Sequence, residues 1–485
     1  MKLLKYTIIG LFLLSGCKKY LSEEPRKQAS IKTVAQLEAL VDNATAFSDE
    51  SNLTAIFSTD DTEITKALYQ NNSGRFVSNN LQYYVFKTDD VAGLGSDFLW
   101  SAEFKKIFTA NLILTNIDEV TGDDATRARV KADAYFIRAY SYWLLANYYC
   151  APYTSANLNS LGLPIKKTVD YTEPLKRATL KETYDFILSD LAEAQKVAYD
   201  DVDPLRLWRI SRKALSAFMS RFYLFTGDLD KSLEEANKAL GSVKAKLVDF
   251  NTLKPGIPSS YTNPAATLNF VELNDWGPSK YLYWSESYYT RYIVNQVQWF
   301  IPSTSLLALY DTQNDLRYKS FMIPNGGRRS SVITPATYRY TIFSDGQYIP
   351  AGFTVAEALL NKAEVLARKG DVNGAMDAAN TLRLKRMTTY VALSAINKDD
   401  AIKKVLEERR RELPFSMRWY DIRRFSVNDY PADDITVTRD FFEVTATGVN
   451  LTVPKTYTLE AKRLLVPINS IEIATSQGQI VQNPY

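Results

Sequence analysis

Apolar side chains recur every three or four residues over much of the chain, and this period predicts amphipathic α-helices. Between these segments the apolar positions give way to polar, glycine-containing or proline-containing stretches. The segments with the helical period are 30–41, 100–120, 126–149, 211–225, 354–369 and 399–413. The pattern therefore favours a predominantly α-helical protein.

The two longest segments predict how neighbouring helices pack. In 126–149, the small residues Ala132 and Ala139 lie among large aromatic side chains on one face. Small residues at such positions allow close approach of helices, as in tetratricopeptide (TPR) repeats. In 100–120, Asn111 interrupts the apolar face. We therefore expect Asn111 to be a buried polar group with a structural hydrogen-bond partner.

Two later segments resemble one another. Asn237 follows Gly227 by ten residues, and Asn380 follows Gly370 at the same offset, with an aspartate directly after each glycine. Each glycine is predicted to end a helix in the left-handed conformation, and each aspartate to cap the next helix. The repetition predicts TPR-like helical hairpins, although the strict TPR consensus is absent.

The helical period is lost in two stretches of the second half. Eight prolines interrupt the first of them, and such residues are typical of loops and short strands. The expected organisation is a single domain over 31–485, with TPR-like helices at about 100–240 and 353–425 and a loop-rich, mixed α/β part at about 248–352 and 427–485.

Composition excludes several classes of function. The chain of 485 residues is 46% hydrophobic and 23% charged, as in soluble globular proteins. Its net charge of +3 gives no sign of a nucleic-acid binder. Histidine is absent, which excludes histidine triads and histidine-ligated metal sites. The phosphate-binding, dinucleotide-binding and G-x-S-x-G patterns are also missing. We expect no catalysis, no metal and no cofactor.

The first 16 residues have the features of a targeting segment. Lys2 and Lys5 form a positive region, and a short apolar run follows. Leu-Ser-Gly-Cys, ending at Cys17, resembles the lipobox of bacterial lipoproteins, in which that cysteine is lipidated. An ordinary signal peptide is the alternative. Residues 17–30 are then the lipidated cysteine and a polar tether, and Cys150 is predicted to be buried and inert.

The stretch 399–425 carries the most distinctive motif, EERRREL at 407–413 followed by RWYDIRR at 418–424. On charge alone, the three arginines at 409–411 are interpreted as a solvated face of a helix that Pro414 ends. The motif resembles the signature of the SusD/RagB family, although Ser416-Met417 replaces the usual acidic-glycine pair. LLVPI at 464–468 and QNPY at 482–485 are similar to the closing motif of that family.

This resemblance implies a fold and a function. Members of the family are lipid-anchored substrate-binding proteins of bacterial outer-membrane nutrient uptake, built on TPR-like helices. The resemblance implies a surface lipoprotein of the outer membrane that binds an oligosaccharide. It would deliver that ligand to a SusC-like TonB-dependent transporter without catalysis. The family's binding residues have no fixed motif, so none is transferred to this chain by position.

An excess of aromatic residues marks the candidate binding site. Nine of the 25 residues over 276–300 are aromatic, whereas the chain average of 13% would give about three. Rings on loops can form flat platforms for sugars, and tyrosine hydroxyls add hydrogen bonds. The candidates are Trp276, Tyr281, Tyr283, Trp284, Tyr288, Tyr289 and Tyr292, with Tyr83 and Tyr84 as a second patch. The alternative is that these rings are core.

Other functions stay open at this stage. Some members of the resembled family capture peptides, which would require polar groups directed at a peptide backbone. A glycoside hydrolase is an alternative of another class, because paired carboxylates such as Asp60-Asp61 or Asp433-Asp434 occur in the chain. Adjacent acids are more commonly turn or cap residues. A scaffolding lipoprotein without a small ligand is a further alternative.

Overall fold

The computed structural model describes residues 31–89, 98–196, 199–254, 281–294, 300–324, 334–342 and 348–484. The predicted targeting segment, Cys17 and the tether lie outside these ranges. Within them the chain is predominantly helical, as predicted. None of the helices in the described ranges has the length and hydropathy needed to cross a bilayer.

The elements are numbered here in chain order. The helices are α1 (Val34–Val41), α2 (Ala44–Ser48), α3 (Leu53–Phe57), α4 (Lys66–Asn72), α5 (Ser78–Tyr84), α6 (Phe98–Asn116), α7 (Asp124–Tyr149), α8 (Leu180–Ala194), α9 (Arg212–Thr226), α10 (Leu229–Leu240), α11 (Thr304–Leu307), α12 (Leu316–Phe321), α13 (Val355–Lys369), α14 (Val372–Arg383), α15 (Lys398–Glu412), α16 (Arg418–Phe425) and α17 (Ser470–Thr475). The strands are β1 (Asp49–Glu50), β2 (Leu161–Pro164), β3 (Arg177–Thr179), β4 (Ser287–Tyr289), β5 (Tyr292–Val294), β6 (Met322–Pro324), β7 (Tyr338–Tyr340), β8 (Tyr348–Pro350), β9 (Phe353–Thr354), β10 (Thr438–Thr445) and β11 (Gly448–Thr458).

Consecutive helices pack as hairpins. Helix α7 lies between α6 and α8, α9 pairs with α10, and α13 pairs with α14. The two later hairpins join because α13 also packs against α10 and α15. Ala132 and Ala139 of α7 are buried, as expected for residues that let helices approach closely.

The repeated glycine turns have the predicted geometry. Gly227 and Gly370 end α9 and α13 with φ of +84° and +87°, a conformation that favours glycine because it has no Cβ. The side chain of Asp228 accepts the backbone N–H of Lys231, and Asp371 caps α14 in the same way. The sequence therefore predicted both hairpin turns correctly.

The strands are short, with one exception. Most form sheets of two or three strands in the orders β1-β5-β8, β2-β3, β4-β9 and β6-β7. Strands β10 and β11 form a longer antiparallel hairpin with a bulge between Phe442 and Glu443. This hairpin lies in a part expected to be loop-rich. Because β11 is almost entirely exposed, it lacks the apolar alternation that identifies a half-buried strand.

Aromatic side chains dominate the main core. In α7, the rings of Phe136 and Trp143 contact Phe218 of α9 edge-on, with centroids 5.6 and 5.4 Å apart. Phe353 of β9 packs against the same Phe218 ring at 5.2 Å. Edge-to-face pairs at such distances stabilise beyond the area they bury. The loop-rich part is thus attached to the helices through one shared core.

Two predicted buried groups are confirmed. Asn111 is fully buried; its amide donates to the carbonyls of Lys166 and Thr168, both at 3.1 Å, and its oxygen accepts from Arg138. Cys150 is a buried free thiol, and burial raises its pKa to about 11. The thiol is therefore protonated and unreactive at neutral pH.

The arginines of the signature motif contradict the expectation of a solvated face. Helix α15 ends at Glu412, before Pro414 as predicted, but Arg409 and Arg411 are buried with only 1% and 7% exposed. Arg409 donates to both carboxylate oxygens of Asp421 at about 3 Å. Buried guanidinium groups require such partners. Charge alone was misleading because Asp421, the carboxylate that pairs with Arg409, belongs to another helix, α16.

Candidate functional site

The structure separates the predicted aromatic platform into covered and accessible rings. Trp276 and the side chain of Tyr281 lie outside the described part of the chain. Five candidates are buried, with at most 9% of each residue exposed: Tyr83, Tyr84, Tyr288, Tyr289 and Tyr292. Their ring faces are covered, so they are not available for stacking on a ligand.

The buried tyrosines have structural partners. The ring of Tyr289 packs against Phe136 and Phe353, with centroids 4.9 and 5.8 Å away. The hydroxyl of Tyr288 donates to the carbonyl of Ala239 at 2.9 Å. Strands β4 and β5 therefore turn these rings toward the helices rather than toward solvent. For these residues, the interpretation as core is the correct one.

Tyr283 and Trp284 are the accessible pair. Tyr283 is 46% exposed and ends the short 3-10 turn 281–283, and Trp284 follows it, half-buried. Tyr283 lies edge-on to Trp208 at 6.4 Å, and Trp284 packs on Phe250, also at 6.4 Å. The four rings thus form two separate contacts, and Phe250 is buried beneath Trp284.

A small cleft of about 50 Å³ lies beside Trp284. Its apolar lining includes Phe250, Tyr340, Ile342 and Ile349. This volume is too small for a sugar ring, so a saccharide would have to lie across the outer faces of Trp284 and Tyr283.

Arg386 anchors residues 284–286, which we call the Trp284 turn, by a hydrogen bond to Glu286. This fully buried guanidinium lies over the Phe250 ring, 3.8 Å from its centroid. It donates to Glu286, two residues after Trp284, at 2.8 Å and to Glu412 of α15 at 2.8 Å. The rigid end of the signature helix thus positions the accessible aromatic pair.

The ion-pair network continues along α15. Glu408 is fully buried and contacts Arg317, Arg383 and Arg411 at 2.7–2.9 Å. Arg317 also reaches Glu412 at 2.7 Å, which links this cluster to Arg386. Buried ion pairs are costly to desolvate but fix geometry when every partner is present. The network is a rigid base for the loops above it.

Sequence patterns did not predict the buried ion pairs that support Tyr283 and Trp284. Glu286 and Arg386 are separated by 100 positions, so no local pattern connects them. Trp208 and Phe250 were also missed as neighbours of the accessible pair, because each is an isolated aromatic residue in an irregular stretch. Only spatial proximity identifies these residues.

Both carboxylates of the first acidic pair, Asp60-Asp61, form ion pairs with arginines. Asp60 accepts two hydrogen bonds from Arg418 at 2.6 and 2.7 Å. Burial alone would raise the pKa of Asp60, but Arg418 and Arg410 lower it to about 2. Asp61 accepts the backbone N–H of Phe415 at 2.7 Å. Asp60 is held ionised and is therefore unsuited to act as a general acid, whereas burial raises the pKa of Asp61.

The second pair, Asp433-Asp434, is divided between core and surface. Asp433 is buried and accepts from Arg368 at 2.6 Å, whereas Asp434 is exposed. Within the described ranges, no cluster of three or more acidic or cysteine side chains is arranged to hold a metal ion. The geometry here supports ligand binding through aromatic surfaces.

Comparison with known families covers most of the chain. A family model described as "Starch-binding associating with outer membrane", of the SusD-like type, matches residues 19–224. A second model, described as "SusD family", matches residues 333–485, which include the signature helix and the closing motif. The chain belongs to the SusD/RagB family.

Sequence relatives agree with this assignment. SusD-like protein P2 from Formosa agariphila is 25% identical, and the alignment covers 88% of this chain and 92% of that protein. SusD-like protein P38 from the same organism is 24% identical over 67% of this chain and 71% of its own length. The SusD/RagB resemblance inferred from the signature motif is confirmed.

Solved structures share the fold. A SusD superfamily protein from Bacteroides thetaiotaomicron has a TM-score of 0.63 at 19% identity, covering 93% of this chain and 100% of that one. A SusD-like carbohydrate binding protein from Bacteroides vulgatus has a TM-score of 0.60 at 16% identity, covering 92% and 97%. The TPR-like helical hairpins are thus the SusD/RagB scaffold.

Proposed function

We propose that this SusD/RagB protein binds an oligosaccharide at the surface of the outer membrane and passes it to a SusC-like TonB-dependent transporter, without catalysis. The observation that carries the proposal is the accessible pair Tyr283 and Trp284, held on a rigid base in a chain of this family. Aromatic faces fixed in this way suit the C–H faces of sugar rings. The printed descriptions of the starch-binding family model and of the carbohydrate-binding structural neighbour agree with this ligand class.

Calorimetric titration tests the ligand class. Residues 18–485 would be titrated with a panel of neutral oligosaccharides and a panel of peptides of similar length. Saturable heat with a saccharide supports the proposal. Binding of peptides alone would contradict it and would favour peptide capture, and turnover of the saccharide would indicate a glycoside hydrolase.

The Trp284→Ala variant should weaken saccharide binding roughly fivefold, because stacking on one ring contributes about 1 kcal/mol. The measurement is the dissociation constant by calorimetry. Tyr171→Ala is the matched control, since Tyr171 is an aromatic residue that is 86% exposed on the loop between β2 and β3. Equal affinities for wild type and Trp284→Ala would exclude Trp284 from the site.

The Cys17→Ser variant should lose membrane attachment. The proposal assigns lipidation to Cys17, and acyl chains supply the membrane affinity that the described helices cannot provide. In cells fed labelled palmitate, the full-length protein should carry label and sediment with outer membranes, whereas Cys17→Ser should do neither. Continued labelling and sedimentation of the variant would show that Cys17 is not the anchor.

A further inference from the structure

A second, polar cleft lies apart from the aromatic pair. It has a volume of about 790 Å³, which is within the range of small-molecule sites. We call it the Arg439 cleft; its lining includes Asp60, Glu63, Lys66, Tyr84, Thr438 and Arg439. It is formed where the beginning of β10 passes α4 and α11. The Trp284 turn does not contribute to its lining.

Arg439 is an unusual cation in this cleft. It is only 6% exposed, and no carboxylate lies within ion-pair distance among the described residues. Its guanidinium lies over the rings of Tyr84 and Phe86, with Cζ 4.6 and 5.6 Å from their centroids. Contact with ring faces partly compensates a cation but does not neutralise it.

The hydrogen bonds of Arg439 leave donors available. One terminal nitrogen donates to the carbonyl of Thr59, and the other lies 3.3 Å from the carbonyl of Thr438. The Nε–H has no acceptor within the described structure, but this nitrogen is itself buried, so only the terminal nitrogens can meet a ligand. A guanidinium has five N–H donors in a rigid fork, so this one is oriented but incompletely used. Burial lowers the pKa of Arg439, although the charges of Asp60, Glu63 and Asp61 act in the opposite direction.

The carboxylates nearest to Arg439 are committed elsewhere. Asp60 forms the bidentate pair with Arg418, and Asp61 accepts from Arg410 at 2.7 Å. Each of these arginines therefore has its own counter-ion. Arg439, in contrast, donates only to backbone carbonyls within the described structure.

Hydroxyl groups line the same cleft. Thr436 and Thr438 are exposed in its wall, and their hydroxyls have no hydrogen-bond partner in the described ranges. The Thr304 hydroxyl donates to Glu63 at 2.8 Å. Free hydroxyls beside a cation suit a ligand that has both a negative charge and hydroxyl groups of its own.

We propose that the Arg439 cleft binds an acidic saccharide through a carboxylate or sulfate group that pairs with Arg439. A planar carboxylate or a sulfate matches the fork of a guanidinium and would pair with the terminal N–H groups that the carbonyls of Thr59 and Thr438 leave unused. The threonine hydroxyls would contact the hydroxyls of the sugar. The cleft is separate from the Trp284 site and does not depend on binding there.

Lys66 gives the cleft a second positive charge, and Asp440 pairs with it in the free protein. Lys66 Nζ pairs with Asp440 at 2.8 Å, and the Asp440 side chain is 74% exposed. An incoming anion would compete with Asp440 for Lys66 and would be repelled by its charge. Removing this carboxylate without changing its shape, as in Asp440→Asn, should therefore strengthen binding of an acidic ligand.

The experiment compares charged and neutral sugars at constant ionic strength. Wild-type protein would be titrated calorimetrically with glucuronate, glucose 6-sulfate, glucose and sodium sulfate. Glucuronate or glucose 6-sulfate should bind at least tenfold more tightly than glucose. Sodium sulfate binding as tightly as both acidic sugars would show a site for a free anion and would overturn the saccharide assignment.

Two variants locate the site. Arg439→Gln should lower the affinity for the acidic sugar at least tenfold, and Asp440→Asn should raise it severalfold. Arg423→Gln is the matched control, because Arg423 is likewise buried and donates to a backbone carbonyl, that of Cys150, but does not line the cleft. If Arg439→Gln does not fold, Asp440→Asn decides alone: unchanged affinity in that variant would overturn the proposal.

Discussion

The Glu408→Gln variant is expected to lower the free energy of unfolding by about 3–5 kcal/mol, the usual cost of removing one partner from a buried ion pair. Glu408 is fully buried and is the common counter-ion of Arg317, Arg383 and Arg411. A glutamine keeps the shape but leaves three guanidinium groups without that charge. Urea denaturation at neutral pH measures the difference.

The adjacent residue provides the control. Glu407 belongs to the same helix but is partly exposed and has no ion pair in the described structure. Glu407→Gln should therefore change the free energy of unfolding by less than about 0.5 kcal/mol. If both variants were equally stable, the ion-pair network would not be a stabilising feature of the signature helix.

The pH dependence gives a further check on Glu408. Burial alone would raise the pKa of this carboxyl, but Arg317, Arg411 and Arg383 outweigh burial and hold it well below its usual value. Because the folded pKa is below the unfolded one, the stabilisation is complete above the unfolded pKa and decreases as the pH falls. The difference between wild type and Glu408→Gln should be constant down to about pH 5.5 and should shrink between about pH 5 and pH 2.

The Arg386→Met variant should lower both stability and saccharide affinity. Arg386 is fully buried and contacts Glu286 and Glu412, so its removal leaves two buried carboxylates without their shared cation. We expect a loss of about 3–5 kcal/mol in the free energy of unfolding. The Trp284 turn also loses its support, so saccharide affinity should fall severalfold although Arg386 is inaccessible to ligand.

Arg383→Met separates the two effects. Arg383 belongs to the same network through Glu408 but does not contact Glu286. Its removal should reduce stability and leave saccharide affinity close to that of wild type at a temperature where both variants are folded. Parallel losses of affinity in the two variants would mean that general destabilisation, not support of Trp284, causes the effect.

The candidate site was only partly predictable. The excess of aromatic residues over 276–300 predicted a platform for sugars; several of these rings are core, and Tyr283 and Trp284 remain candidates. Aromatic content does not distinguish a platform from core, because both use the same rings. Tyr288 and Tyr289 lie in strand β4, whose side chains are buried at every position, so neither ring is available to a ligand.

Sequence alone determined the local features of this protein. Helix periods predicted α7 and α13 to within about two residues, and the Gly-Asp turns at 227–228 and 370–371 predicted where hairpins reverse. The signature motif identified the SusD/RagB family. These features depend on interactions between residues close in the chain, which sequence patterns report directly.

Tertiary structure decided which charges and rings are buried. Arg409 is buried because Asp421 of α16 meets it, Arg411 donates to the backbone carbonyl of Leu309, and Arg386 reaches Glu286 from 100 residues away. Arg439 is buried as well, but its hydrogen bonds within the described residues go to backbone carbonyls. The energy of a charge depends on its surroundings, and those surroundings are formed by residues distant in the chain.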